Sequence, residues 1–338
     1  MRKIKKFSKS YKNLISIKED FYENNIINLK NQTRINQEYK KNPIRSLCKN
    51  CHKKTLHKFI KNFSIEYSIC SKCSHLNGKH EDTEKFNKKL YSSNQGKNYS
   101  RNYLKNYSSR VKNIYIPKVD FLKSVVKKKI QLMDIGCGGG HFLKALEMRK
   151  INAVGYETSK NLCNLGKSQL KKNKIYNSTF SDINKIVEKN INFNTVSLLE
   201  VLEHLTDPHS LLKAFKKSKA EFLYISVPTF SLSVFLENSF PGVFPRQLSG
   251  GHTHLFTEKS IKFTANKYNL IIVGEWWFGT DIADLYRSLI NTGKILNKKI
   301  YLNEINNKLF SVLDDLQSVL DNNKICSEVH LILKKKSI

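Results

Sequence analysis

Acidic residues are scarce in this chain: 28 Asp+Glu stand against 59 Lys+Arg in 338 residues, for a formal net charge of +31. No apolar run approaches the roughly 18 to 20 residues that a membrane span needs. The lysine-rich N-terminus is not followed by a signal-peptide core. No membrane span is therefore expected, and the cytoplasm is the expected compartment. Cysteine is sparse too, seven in all. Four of the seven form two C-x-x-C pairs and three are scattered, which in a reducing compartment argues for metal rather than disulfides. The charge is uneven, with 32 Lys+Arg against 9 Asp+Glu in residues 1–130 and 27 against 19 in the remainder. Such an excess suits RNA, phosphate-bearing substrates or an anionic surface. It equally suits a solvated surface in a Lys-, Asn- and Ile-rich chain. The basic segment lacks an Arg-rich, aromatic-interleaved pattern, so nucleic acid is the less favoured partner.

The chain is long enough for an α/β domain of about 200 residues plus a small module. The organising stretch is LMDIGCGGGHFLKAL from Leu132, which reads as a strand, a tight glycine loop and a helix start. Gly136, Gly138 and Gly140 follow Asp134 as D-x-G-x-G-x-G, and glycine suits a loop that must adopt positive φ and let a ligand approach the backbone. INAVGYE then supplies a second strand ending in Glu157, 21 residues after Gly136. That is where a doubly wound sheet delivers a carboxylate to a ribose. Cys48, Cys51, Cys70 and Cys73 have the spacing of the two knuckles of a zinc ribbon, a closed structural site.

These motifs, with FNTVSLLEVLEHLTDP downstream, resemble the class I S-adenosylmethionine (SAM)-dependent methyltransferases. The fourth-strand motif is similar to that of small-molecule methyltransferases, including the quinone O-methyltransferases and the sugar methyltransferases, and an N-terminal ribbon ahead of a SAM domain resembles the sugar C-methyltransferases. The resemblance implies a Rossmann-like α/β fold with a seven-stranded sheet, and SAM held by Asp134, the three loop glycines, Glu157, Asp182 and Glu200. Asp182 would accept from the adenine amino group, although an acid there also caps a helix. The comparable sugar-enzyme run resembles Y-H-E-H. His254 matches its last histidine, the base, while Gly251 and Thr253 replace the Tyr and Glu. His204 is the second candidate base, and His252 and His254 equally suit a bracing role. In E-x-x-E-H, here Glu200, Glu203 and His204, the resemblance leaves a divalent metal open.

The expected division is a basic arm over 1–45, a ribbon over 46–76, a connector over 77–110 and a methyltransferase domain over 111–338. The arm is read as poorly ordered or partly helical. In the connector Tyr99, Tyr103 and Tyr107 would form one stripe, either packing on the domain or covering the cofactor with Arg101 or Arg110. Residues 229–251 are expected to roof the substrate pocket. Trp276, Trp277 and Phe278 would fill core or line that pocket. An insertion of two helices is expected over 281–321. The substrate expected is a small molecule, most plausibly a sugar, nucleotide sugar or glycan precursor. The alternatives are RNA and a non-catalytic interaction role.

Overall fold

A computed structural model describes residues 3–11, 17, 23–54, 56–92 and 104–336. Leu14, Ile15, Tyr99, Arg101 and Tyr103 lie outside the described residues. Among those described, the strands in chain order are β1 (Ile4–Phe7), β2 (Leu56–Asn62), β3 (Ile65–Cys70), β4 (Leu76–Gly78), β5 (Gln131–Ile135) and β6 (Asn152–Glu157). They continue with β7 (Lys174–Asn177), β8 (Thr195–Leu199), β9 (Phe222–Pro228), β10 (His254–Leu255), β11 (Leu270–Phe278) and β12 (Glu328–Lys335). The large sheet runs β1-β11-β12-β9-β8-β5-β6-β7 and the small one β10-β4-β3-β2. In the large sheet β12 alone is antiparallel to its neighbours, β9 and β11. The seven strands expected are all present, and β1 adds an eighth.

Central strands buried on both faces require near-continuous apolar sequence, and FLYISVP of β9 is buried at every position. On one face lie helices Phe180–Glu188, Pro208–Lys217 and Glu258–Lys267; on the other, Ile116–Val125 and His141–Met148. The parallel strands end together along one edge, at Ile135, Glu157, Leu199, Pro228 and Phe278, and β12 begins there at Glu328. Open α/β sheets bind their ligands outside this edge.

The first residues are not a loose arm. Ile4–Phe7 pairs in parallel with β11, opposite Gly274 to Trp277. Lys3 reaches Glu275 at 2.6 Å, Lys6 sits 3.9 Å over the Trp276 ring, and the indole N–H of Trp276 donates to the Ser8 carbonyl at 2.9 Å. Lysines on an edge strand also discourage pairing with other chains. A second part of the expected arm, Asn25–Tyr39, is helical.

The ribbon is built into the larger domain rather than tethered to it. β10 pairs with β4, so the small sheet takes its last strand from beyond β9. Residues 229–251, expected as a pocket roof, instead receive the ribbon. Phe230 meets Phe59 edge-on at 5.5 Å, and Val234 and Leu248 pack with Tyr39, Ile65 and Tyr67. The insertion after β11 holds three helices, Asp281–Ile295, Lys299–Leu309 and Leu313–Asn322, not two.

Candidate functional site

The glycine loop leaves β5 with Gly136, Gly138 and Gly140 all at positive φ, 69°, 52° and 75°. Two of them are also sterically required. A Cβ on Gly136 would stand 2.7 Å from the Val201 side chain, and one on Gly140 would stand 2.9 Å from Ile175. At Gly138 the same test meets nothing within 4 Å, so the loop faces open space where a ligand can approach its backbone.

Two carboxylates frame this loop. Asp134, opposite Ser197 in the β5–β8 register, accepts a 2.6 Å hydrogen bond from that hydroxyl. Burial raises its pKa to about 7, with the Ser197 hydrogen bond opposing. Glu157, at the tip of β6, accepts from the Gly138 N–H at 2.8 Å and the Ser159 N–H at 2.7 Å. Burial raises its pKa too, against those backbone bonds. Asp182 opens helix Phe180–Glu188, exposed, and accepts from the Thr179 hydroxyl. That is also what an acid in a first helical turn does without any ligand.

Glu200 follows β8 in a left-handed conformation, φ 57°, which a residue other than glycine holds at a cost of about 1 kcal/mol or more. Its carboxylate receives the Lys118 ammonium at 3.2 Å. Lys118 is 3% exposed, and Glu328, the first residue of β12, lies 4.0 Å from its nitrogen. Behind Glu328 the His330 Nε2 stands 2.8 Å away, and His330 Nδ1 is 2.9 Å from the Tyr224 hydroxyl. Burial lowers His330 to about 4, so at neutral pH it is uncharged. Neutral His330 donates from Nε2 to the carboxylate and accepts the tyrosine O–H at Nδ1. A cavity of about 50 Å³ opens here, lined by Lys9, Ile114, Lys118, Glu200, Phe278 and Glu328 among others.

Neither candidate base lines that cavity. His254, expected at the pocket rim, is 1% exposed, with Nδ1 2.8 Å from His75 Nε2. β4–β10 pairing turns it into the junction with the ribbon, so the rim placement is corrected. His204 Nδ1 is 3.2 Å from the Gly251 carbonyl, and burial with the nearby His252 lowers its pKa to about 3. Glu203, His204 and His252 bring one donor atom each within 4.8 Å of one another. His252 Nδ1 likewise faces a carbonyl, that of Gln247, at 3.2 Å. With both Nδ1–H groups donating, Nε2 is the lone-pair nitrogen in each ring, and Glu203 Oε2 is buried with no hydrogen-bond partner among the described residues. Such a set could hold a divalent cation. Glu200, turned to Lys118, is not part of it.

The four paired cysteines converge as their spacing requires. Cys48 and Cys73 sulfurs are 3.6 Å apart, Cys51 and Cys70 3.5 Å, and all four atoms lie within 4.8 Å. Tetrahedral zinc at about 2.3 Å from each sulfur would set those edges near ~3.8 Å. The two knuckles are alike in backbone: the residue after each second cysteine, His52 and Ser74, has φ 58° and 59° and returns its N–H to the carbonyl of the first cysteine.

The sequence did not single out Lys118, Glu328 and His330, nor Tyr115. Each lies in an ordinary-looking helix or strand, and only the sheet order brings them to one edge. Of the tyrosine stripe, Tyr107 donates to the Gly139 carbonyl at 3.1 Å and stacks on His141 at 4.0 Å, so it covers the loop. Trp276 and Trp277 fill core, while Phe278 lines the cavity.

Residues 107–274 match the family described as "Methyltransferase domain". This stretch is a SAM-dependent methyltransferase domain. Over 92 residues it is 26% identical to a ubiquinone biosynthesis O-methyltransferase of Coxiella burnetii, covering 27% of this chain and 39% of that protein. The chain thus spans about two-fifths of the length of the curated relatives it matches. Among solved structures, magnesium protoporphyrin IX methyltransferase of Synechocystis with bound SAH is 11% identical. It covers 75% of this chain and 100% of its own, with a TM-score of 0.49. A SAM-dependent methyltransferase of Archaeoglobus fulgidus is 17% identical, covers 65% and 92%, and has a TM-score of 0.42. Matches this loose say nothing about the acceptor of this methyltransferase.

Proposed function

We propose that this methyltransferase transfers the SAM methyl group to a small molecule, a sugar, nucleotide sugar or glycan precursor. The observation that carries the reading is Glu157, a buried carboxylate fixed by loop N–H groups at the tip of the second strand, beside an open-faced glycine loop. Asp134 supports the loop from below through Ser197, Glu157 takes the ribose hydroxyls, and Asp182 takes the adenine amino group. The first amides of helix His141–Met148 receive the carboxylate of the methionyl end. SAM supplies a methyl on a positively charged sulfur, so the protein's task is alignment and the exclusion of water.

The four cysteines hold one structural zinc, leaving no open position for substrate. The ribbon's first knuckle supports the small-molecule reading over RNA. The Asn50 amide donates to the Ser260 carbonyl at 3.1 Å and His209 Nε2 is 3.2 Å from the Lys49 carbonyl, so that knuckle is occupied by its own domain. As for proton removal, His204 and His254 are both held uncharged by burial and neither lines the cavity by Glu200. Their proposed role is to position the turn after β8 and the ribbon junction.

The test is incubation of the protein with a cell extract and SAM labelled in the methyl group. The reading requires label in a low-molecular-weight fraction, absent with a Glu157→Ala variant. Label found only in RNA would replace the sugar reading with the nucleic-acid one.

A further inference from the structure

The methyltransferase reading leaves the acceptor site open, and the fold brings together at the ligand edge a constellation in which Glu200 alone was also expected beside the cofactor. Lys118 sits between two carboxylates, Glu200 at 3.2 Å and Glu328 at 4.0 Å, with its side chain 3% exposed. A buried ammonium is costly unless its surroundings compensate it. Neither carboxylate is enclosed: the Glu200 side chain is 58% exposed and that of Glu328 25%. Both side chains are therefore partly open to solvent.

Its location connects this group to the cofactor end. Lys118 lies in the first turn of helix Ile116–Val125, next to the π-helical turn Val111–Tyr115, and Tyr115 stacks at 5.3 Å on His141, the residue directly after the glycine loop. Glu200 directly follows β8, the strand beside β5, in a left-handed conformation that aims its side chain. On the far side the chain after β1 closes the cavity: Lys9 stands 5.3 Å from the Phe278 ring, and Tyr11 is fixed by its N–H to Asp314 at 2.8 Å.

We infer that the cavity between Lys118, Glu200 and Glu328 binds the acceptor, and that the acceptor presents a neutral hydroxylated edge to it. This rests on the methyltransferase reading above. Charge decides the class. Lys9 and Lys118 balance Glu200 and Glu328, so an anionic group gains no net attraction and meets two carboxylates. A permanent cation would meet Lys118. Hydroxyl groups satisfy both kinds of partner at once, donating to the carboxylates and accepting from the ammonium. The space of about 50 Å³ admits a few water-sized groups, the edge of a ring rather than a whole molecule. Phe278 supplies an apolar wall for the ring carbons. His330, neutral and held by Tyr224, keeps the Glu328 carboxylate turned to its place and is a positioning residue.

Saturation-transfer NMR on the full chain, saturated with SAH, tests this with three probes: methyl α-glucopyranoside, catechol and glucose 6-phosphate. SAH affinity is measured separately by calorimetry. The expected result is transfer to the ring protons of one or both neutral probes, with the phosphate at least 10-fold weaker. Glu328→Gln and Lys118→Met should each cut the neutral signal at least 5-fold while SAH affinity stays within 2-fold. Which neutral probe gives the signal separates a sugar acceptor from an aromatic one. Should Lys118→Met fail to fold, Glu328→Gln and Lys9→Ala carry the test. Neutral probes that bind the variants as well as the wild type, or no neutral binding beside normal SAH affinity, overturn the acceptor site alone. Failure to bind SAH overturns the cofactor reading and this site with it.

Discussion

Glu157 and Asp134 are both buried acids on adjacent strands, and they differ in what compensates them. Glu157 accepts two backbone N–H groups, whereas Asp134 has one hydroxyl. Glu157→Ala removes a charged acceptor for two ribose hydroxyls and should weaken SAM binding by about 1 to 3 kcal/mol by calorimetry. Unchanged affinity in a folded variant would remove Glu157 from the ribose. Asp134 predicts a pH effect instead. Its pKa is raised from the ordinary carboxylate value of 3.8 to about 7 in the folded chain, so the native state binds the proton more tightly than the unfolded state does. Its stabilising contribution is complete below about pH 4 and is lost as pH rises towards 7. Three pH units correspond to about 4 kcal/mol at most. Urea midpoints of ligand-free protein, compared with those of Asp134→Asn, should show this component in the wild type and not in the variant. These two acids could be read from the sequence because strand, glycine and acid fall at fixed spacing along one βαβ unit. Lys118, Glu328 and His330 could not, since they lie up to 212 positions apart and meet only through the sheet order.

At the level of elements, the legible parts are those whose signal is local. Strand β5, its loop, β6 and the fourth-strand motif carry their own punctuation, and the two C-x-x-C pairs fix a knuckle each. Among the strands that were missed, β1 and β10 have four and two residues, too few for periodicity to show. β10 changes what the ribbon is for. Since His254–Leu255 completes the small sheet, and His75 joins His254 across it, the metal module and the β9–β10 connection form one unit. Purified protein should carry about one zinc per chain by elemental analysis, and Cys48→Ser or Cys73→Ser should release it. Hydrogen exchange should then quicken in β2, β3 and β4 and also in residues 254–255, while β5 and β6 stay protected. A metal-free, fully protected wild type would contradict the zinc reading, and a loss confined to β2–β4 would contradict the shared unit.

For the whole molecule, β1 and the cofactor loop stand at distant places in one sheet. β1 is an edge strand next to β11, and β12, β9 and β8 lie between β11 and β5. Removing residues 1–11 strips the ladder from β11 and leaves the Trp276 indole N–H without the Ser8 carbonyl. It also uncovers the half-buried Ile4 and Phe7 contacts and the Lys3–Glu275 pair. Together these losses should cost about 2 to 4 kcal/mol in urea unfolding. SAH affinity should remain within about 2-fold, because four strands stand between β1 and β5 in the large sheet. Turnover of the identified acceptor should fall much further than SAH binding, since Lys9 and Tyr11 close one side of the cavity at Lys118. Parallel loss of SAH affinity and turnover would show instead that the edge strand supports the whole sheet. An unchanged unfolding midpoint would reduce β1 to an accessory strand, with stability residing in β5–β12 alone.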